Sequence, residues 1–253
     1  MPAAAAVVGE PGALVLHGLT ATSQSVQGVA DALAAAGFRT RVPLLPGHGT
    51  TLEDLETTGW DDWVAAAEGA YAELAADAHG EPVVVVGLSM GGSLACRVAA
   101  GPAAGEPPAG PAALIVINPF VDPPAASFQD ALRQMLAQGV RRGPGIGGDV
   151  ADPSSREVGY DELPVAPLLS LCAGLDDLLP RLPCITCPVL IVTSRTDHVV
   201  PTVSSDMLAD RVRGPVERVW LERSYHVATL DYDRGEVERR TVEFARAALA
   251  ART

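Results

Sequence analysis

The chain has 253 residues, 48% hydrophobic and 19% charged, which allows one large domain with a buried core and excludes a disordered composition. A net charge of -13 argues against a phosphate-binding surface and against electrostatic docking on an anionic membrane. Every basic residue is an arginine, so a Schiff-base lysine and a Walker-type phosphate loop are excluded too.

The N-terminal run MPAAAAVVGEPGALVLHG lacks a basic region, and Glu10 and Pro11 interrupt it, so a secretory signal is not expected. No apolar run approaches the ~18 residues that would span a bilayer. The expectation is a cytoplasmic protein, monomer or homodimer, with no nucleic-acid partner and no stable membrane insertion.

In chain order, ALVLH (13–17) reads as a buried strand, and residues 24–36 read as a helix stopped by Gly37. FRTRVPLL reads as a second strand ended by Pro46 and Gly47. Residues 60–78 read as a helix whose N-terminal dipole is favoured by Asp61 and Asp62. PVVVVG (82–87) is a buried strand, residues 91–100 a helix and ALIVIN (113–118) a further strand. PVLIVTS (188–194) and VERVWLE (216–222) follow, separated by a helix near 203–212, and a last helix covers 235–251. Continuous apolar strands alternating with helices predict an α/β fold, a mostly parallel central sheet covered by helices on both faces.

Residues 119–183 break the alternation. They hold an amphipathic stretch around 128–138, the glycine-rich RRGPGIGGDVADPSS and the leucine-rich PLLSLCAGLDDLLPRL. An insertion this long predicts a small helical cap, with the core formed by 1–118 and 184–253. The four cysteines include one C-x-x-C, Cys184 and Cys187. With no second pair or suitably spaced histidines, it reads as two ordinary thiols at a strand entrance.

The strongest signal is G-x-S-x-G, Gly87-Leu88-Ser89-Met90-Gly91, entered by an apolar strand and left by a helix. A strained turn there lifts the Ser89 hydroxyl above the sheet. Gly87 and Gly91 remove side chains that would collide across it, and Gly92 lets helix and strand pack closely. A serine hydroxyl needs a base. Of five histidines only His198 and His226 follow Ser89, and only His226 leaves a strand-end acid, Asp197, between itself and the serine. Asp176, Asp177, Asp231 and Asp233 compete for the acid's role; the last two are expected to cap or pair locally. His198 reads as a loop residue, His79 as exposed, and His17 and His48 as structural. The turn after the first strand offers the Leu19 N–H, and the elbow offers the Met90 N–H, as a pair of oxyanion donors. This constellation needs no metal or organic cofactor.

The blocks LVLHGLTATSQSV, LLPGHGTTLEDLETTGWDDW, VVGLSMGGSLA, VINPFVD, TDHVVP and SYHVATLDYD resemble, in order and over nearly the whole chain, the bacterial monoacylglycerol lipases and small thermostable carboxylesterases. That resemblance implies the α/β-hydrolase fold, a Ser89–Asp197–His226 triad and oxyanion donors at Leu19 and Met90. It also implies a small lipid or ester substrate under the cap. DPSSREVGYDELP resembles the part that meets glycerol in those lipases, which falls on Glu157, and Ile146 matches an apolar cap position near the site. The cap departs from the family's pattern at Arg141, Arg142 and its glycines. Dehalogenases and epoxide hydrolases of this fold need an aspartate where Ser89 stands. Other short-to-medium acyl esters, C–C or thioester cleavage with the same triad, a non-catalytic ligand receptor, and a partner-binding protein using the apolar cap remain as alternatives.

Overall fold

The computed structural model describes residues 9–101 and 110–252. The first eight residues, on which the reading of the leader rests, lie outside them. No helix among the described residues is long and apolar enough to cross a membrane.

The chain runs β1 (Gly12–Leu16), α1 (Gln27–Ala35), β2 (Arg39–Arg41), α2 (Leu52–Glu56), α3 (Trp60–Asp77), β3 (Val83–Leu88), α4 (Met90–Ala100) and β4 (Ala113–Ile117). After it come α5 (Ala126–Ala137), β5 (Arg142–Pro144), β6 (Glu162–Pro164) and α6 (Val165–Leu178). The last part is β7 (Val189–Ser194), α7 (Val203–Arg211), β8 (Val216–Leu221) and α8 (Arg234–Ala250). The main sheet has six strands in the order β2-β1-β3-β4-β7-β8, and every neighbouring pair is parallel. This is the α/β-hydrolase fold.

Strand periodicity builds two cores. Leu14, Leu16, Val85, Leu114, Val116 and Ile191 pack against α3, α4 and α6 on one face. Ala13, Val15, Val84, Val86, Ile115 and Val192 pack against α1 and α8 on the other. Both faces are covered, so β1, β3, β4 and β7 are buried along their whole length.

Three elements differ from the sequence reading. The second strand shrinks to three residues, because β2 is an edge strand and Pro43 lacks the N–H a longer ladder needs. The one-turn helix α2 was missed; it is too short for a periodic signal, and Thr51 caps it through Asp54 N at 3.1 Å. The segment between β4 and β7, in which no strong strand is expected, contains the short antiparallel β5–β6 hairpin.

That segment is tied to the core. Arg142 pairs with Glu53 at 2.6 Å and Glu56 at 2.5 Å. The Tyr160 hydroxyl donates to Gly47 O at 2.9 Å and accepts from Thr50 N at 3.1 Å. Ser170 Oγ accepts from Trp60 N at 3.0 Å.

Sheet order also fixes where a site can form. From β1 the chain moves outward to β2, then returns to place β3 on β1's other side. The crevice above the carboxyl ends of β1 and β3 is therefore a topological switch point.

Candidate active site

Ser89 stands at the end of β3, in that crevice. Its backbone has φ 56° and ψ -120°, a left-handed conformation that costs a non-glycine residue about 1–3 kcal/mol. Surrounding bonds hold it there: Ser89 N donates to Ile117 O at 3.0 Å, and Ser89 O accepts from Gly92 N at 2.8 Å. The glycines of the motif are spatial necessities. A Cβ on Gly87 would lie 2.0 Å from Gly91 O, and one on Gly91 would lie 2.2 Å from Leu16 O.

His226 lies in the loop between β8 and α8, and its Nδ1 is 2.8 Å from Asp197 Oδ2. Both side chains are buried, 7% and 2% exposed. The other Asp197 oxygen, Oδ1, accepts from Val199 N at 2.9 Å and Val200 N at 2.8 Å, which fixes the carboxylate's plane. An ionised carboxylate only accepts, so His226 Nδ1 carries the proton and Nε2 keeps a free lone pair.

Two cavities meet at Ser89, and a third adjoins the smaller of them. One, mostly apolar and about 380 Å³, is lined by Ser89, Leu19, Met90 and Ile146 with Phe120, Phe128, Leu163, Leu171 and Val200. A small cavity of about 20 Å³ joins Ser89 and His226 to Gly18, Leu19, Ile146 and Glu157. A third, about 500 Å³, shares Gly147 and Glu157 with the small one and is otherwise lined by Arg156, Tyr160, Asp161 and neighbouring backbone. An apolar space thus opens at Ser89, and a polar space adjoins the small cavity that Ser89 and His226 border. Glu157 borders both the small and the polar cavity, its Oε2 accepting from Gly148 N at 2.8 Å. Burial pushes its carboxyl above the ordinary carboxylate range.

Met90 opens α4, so its N–H has no acceptor within the helix. Leu19 lies on the loop after β1, beside the elbow, where Gly18 brings the backbone close: a Cβ there would be 3.4 Å from Ser89 Cβ. Ser89, Leu19, Met90, Ile146, Glu157 and His226 therefore all border connected cavities, and Asp197 backs His226.

The remaining histidines have other partners. Buried His17 donates from Nδ1 to Gly18 O at 2.9 Å and accepts at Nε2 from Leu45 N at 3.1 Å. Burial, with His48 beside it, lowers its pKa to about 3. His48 donates from Nδ1 to Pro46 O at 3.0 Å, and burial lowers its pKa to about 4. The two rings meet edge to face at 4.9 Å. His79 is exposed.

His198, read as an unremarkable loop residue, pairs with Asp149 at 2.8 Å. Asp233 does pair locally, accepting from Arg223 N at 2.9 Å and Ser224 N at 3.0 Å. Asp231 does not. It accepts from Tyr225 N and Tyr232 N, but also from Ala151 N at 2.7 Å and Asp152 N at 3.0 Å, across the loop into the inserted segment. A fully buried carboxylate needs several donors, and the local chain supplies only two.

Sequence reasoning also missed Asn118, the last residue before the turn after β4. Its Nδ2 donates to His226 O at 2.7 Å, and its Oδ1 accepts from Ser194 N at 2.7 Å. An asparagine closing a buried apolar strand, here at φ 44°, was the available signal. Cys184 is exposed and Cys187 half-buried, both as free thiols ahead of β7.

Comparison with known proteins agrees with this architecture. The Hydrolase_4 family model, described as serine aminopeptidase, S33, matches residues 10–233. The chain is 36% identical over 244 residues to a thermostable monoacylglycerol lipase of Bacillus sp. (strain H-257), covering 93% of this chain and 90% of that one. It is 26% identical over 239 residues to a carboxylesterase of Bacillus subtilis (strain 168), covering 93% and 92%. A solved structure from work on the metagenome-derived lipolytic enzymes LipS and LipT superposes with a TM-score of 0.84 at 33% identity, covering 95% of each chain. The chain belongs to the Hydrolase_4 family and is a serine hydrolase of the α/β-hydrolase fold, in the group that holds the bacterial monoacylglycerol lipases and carboxylesterases.

Proposed function

We propose that this enzyme hydrolyses monoacylglycerols through a Ser89–His226–Asp197 triad, releasing glycerol and a fatty acid. One observation carries the choice of substrate: the apolar cavity at Ser89 is joined, through a small cavity bordered by Ser89, His226 and Glu157, to a polar cavity that also borders Glu157. An ester with one long apolar arm and one small polar arm matches that division. The apolar volume, about 380 Å³, lies within the range of small-molecule sites, about 300–1,000 Å³. Segment 119–183 acts as a cap, with Ile146 against the acyl arm and Glu157 accepting a hydrogen bond from a glycerol hydroxyl. The relative of Bacillus sp. named as a monoacylglycerol lipase supports the same choice.

The arrangement supports the following reaction. His226 Nε2 takes the Ser89 proton as Oγ attacks the ester carbonyl. The N–H groups of Leu19 and Met90 receive the oxyanion; losing one such donor typically costs about 3 kcal/mol of transition-state stabilisation. Asp197 holds the imidazole in the accepting tautomer and stabilises the imidazolium. His226 then protonates the leaving glycerol oxygen, and water cleaves the acyl-enzyme by the same steps.

A turnover panel tests this: 1-monoacylglycerols of graded length, a diacylglycerol, a triacylglycerol, short p-nitrophenyl esters and an aminoacyl p-nitroanilide. The expected result is preference for monoacylglycerols, lost in Ser89→Ala. Each added methylene should raise kcat/KM roughly fourfold until the apolar cavity is full, from about 0.8 kcal/mol per buried CH₂. Glu157→Gln should weaken monoacylglycerol turnover and spare the aryl esters. Activity on the aryl esters alone, or on the anilide alone, would overturn the choice of substrate.

A further inference from the structure

Both backbone groups of His226 are held by side chains from distant parts of the chain. Its carbonyl accepts from Asn118 of the core. Its N–H donates to Asp149 Oδ2 at 3.0 Å, and Asp149 belongs to the segment inserted between β4 and β7. The same Oδ2 accepts from His198 N at 3.2 Å, and Oδ1 meets His198 Nδ1 at 2.8 Å. The Asp149 backbone carbonyl accepts from Val227 N at 3.0 Å. One residue of the insertion thus grips the neighbour of Asp197 and the backbone of His226 at once. Asp231 completes the clasp in the other direction, reaching from the histidine loop to Ala151 N and Asp152 N.

Chemistry explains an aspartate at 149. Three donors converge on its side chain, two backbone N–H groups and an imidazole N–H. A carboxylate accepts all three; an asparagine offers one oxygen and turns an N–H₂ toward the rest. The side chain is 17% exposed, so the bonds are poorly replaced by water.

We infer that Asp149 is a positioning residue for catalysis: it ties the Asp197 loop to the His226 loop and sets the imidazole's place above Ser89. The insertion then belongs to the catalytic apparatus as well as to the substrate pocket. This rests on the triad reading above. Asp149 touches no reacting atom. It acts through the His226 main chain, where a misplacement of about 1 Å can cost on the order of 100-fold in rate.

The test uses the full chain with Asp149→Ala, Asp149→Asn, His198→Ala and Ser89→Ala, on a soluble p-nitrophenyl ester. Asp149→Ala should lower kcat about 10- to 100-fold with KM within about twofold. It should also weaken the downfield proton resonance of His226 Nδ1, which reports the bond to Asp197. Asp149→Asn, keeping one acceptor, should recover part of both. His198→Ala, which leaves the bond to His226 N in place, should lose less than Asp149→Ala. A folded Asp149→Ala with kcat within about twofold of the parent would overturn the inference. So would a loss of kcat with an unchanged resonance, or an asparagine variant no better than alanine. If Asp149→Ala does not fold, the other two variants decide: the resonance and kcat must fall in the asparagine variant and fall less in His198→Ala. Turnover that survives in Ser89→Ala would sink the triad reading, a failure separate from this one.

Discussion

Ser89 and His226 reach the same small cavity by opposite means. Ser89 is placed by its immediate neighbours in sequence: an apolar strand, two glycines with no room for a Cβ, and the first turn of α4. His226 sits in a loop between β8 and α8, and side chains far away hold it: Asn118 is 108 residues distant, Asp149 is 77 and Asp197 is 29. The serine's position is written locally and its environment is steric. The histidine's position is written in tertiary structure and its environment is polar. Changes at the elbow should therefore damage fold and activity together, whereas changes around the histidine loop should damage activity first.

The largest effect should come at Asp197. In Asp197→Asn, the two N–H groups of Val199 and Val200 will keep the amide oxygen, which turns the amide N–H₂ toward His226. The imidazole must then accept at Nδ1 and carry its proton on Nε2, the wrong tautomer for a base. We expect kcat to fall about 10⁴-fold with thermal stability nearly unchanged, read by ester turnover and a melting curve.

Next comes Gly91→Ala, whose new Cβ would lie 2.2 Å from the Leu16 carbonyl. Urea unfolding should show a loss of more than about 3 kcal/mol, with activity lost in parallel. A stable, inactive Gly91→Ala would break the comparison, since it would separate fold from function at the elbow. Asn118→Ala should do the reverse, lowering kcat about 10- to 100-fold for a stability cost of about 1–3 kcal/mol. If stability fell while kcat held, the asparagine would be a fold element only.

The smallest effect lies behind the elbow. His17 and His48 are held neutral in the folded protein, with pKa values lowered to about 3 and about 4, against about 6.5 when unfolded. A depressed histidine pKa means the unfolded chain binds the proton more readily, so this stability is present above about pH 6.5 and lost as pH falls toward 4. Between pH 7 and pH 5.5 each histidine should remove about 1.3 kcal/mol. Urea unfolding of His48→Gln should show a pH slope shallower by that amount; an unchanged slope would contradict the assignment.

The same contrast explains what could be read in advance. The sheet was legible because buried parallel strands such as β3 and β4 are continuous apolar runs, and the strand–turn–helix around Ser89 is a local pattern. The edge strand β2 and the single turn α2 were not, because three to five residues carry too little periodicity. Chain order together with a strand-end position pointed to Asp197 as the partner of His226, and the two side chains do meet. Asn118, Asp149 and the outward reach of Asp231 stayed hidden, since nothing near a polar residue in sequence marks a partner 77 to 108 residues away.

The most direct test of the central claim is covalent: intact-mass analysis after treatment with a p-nitrophenyl alkylphosphonate. A single adduct is expected, mapped to Ser89, absent in Ser89→Ala and formed far more slowly in Asp197→Asn. No adduct, or one carried by another residue, would contradict it.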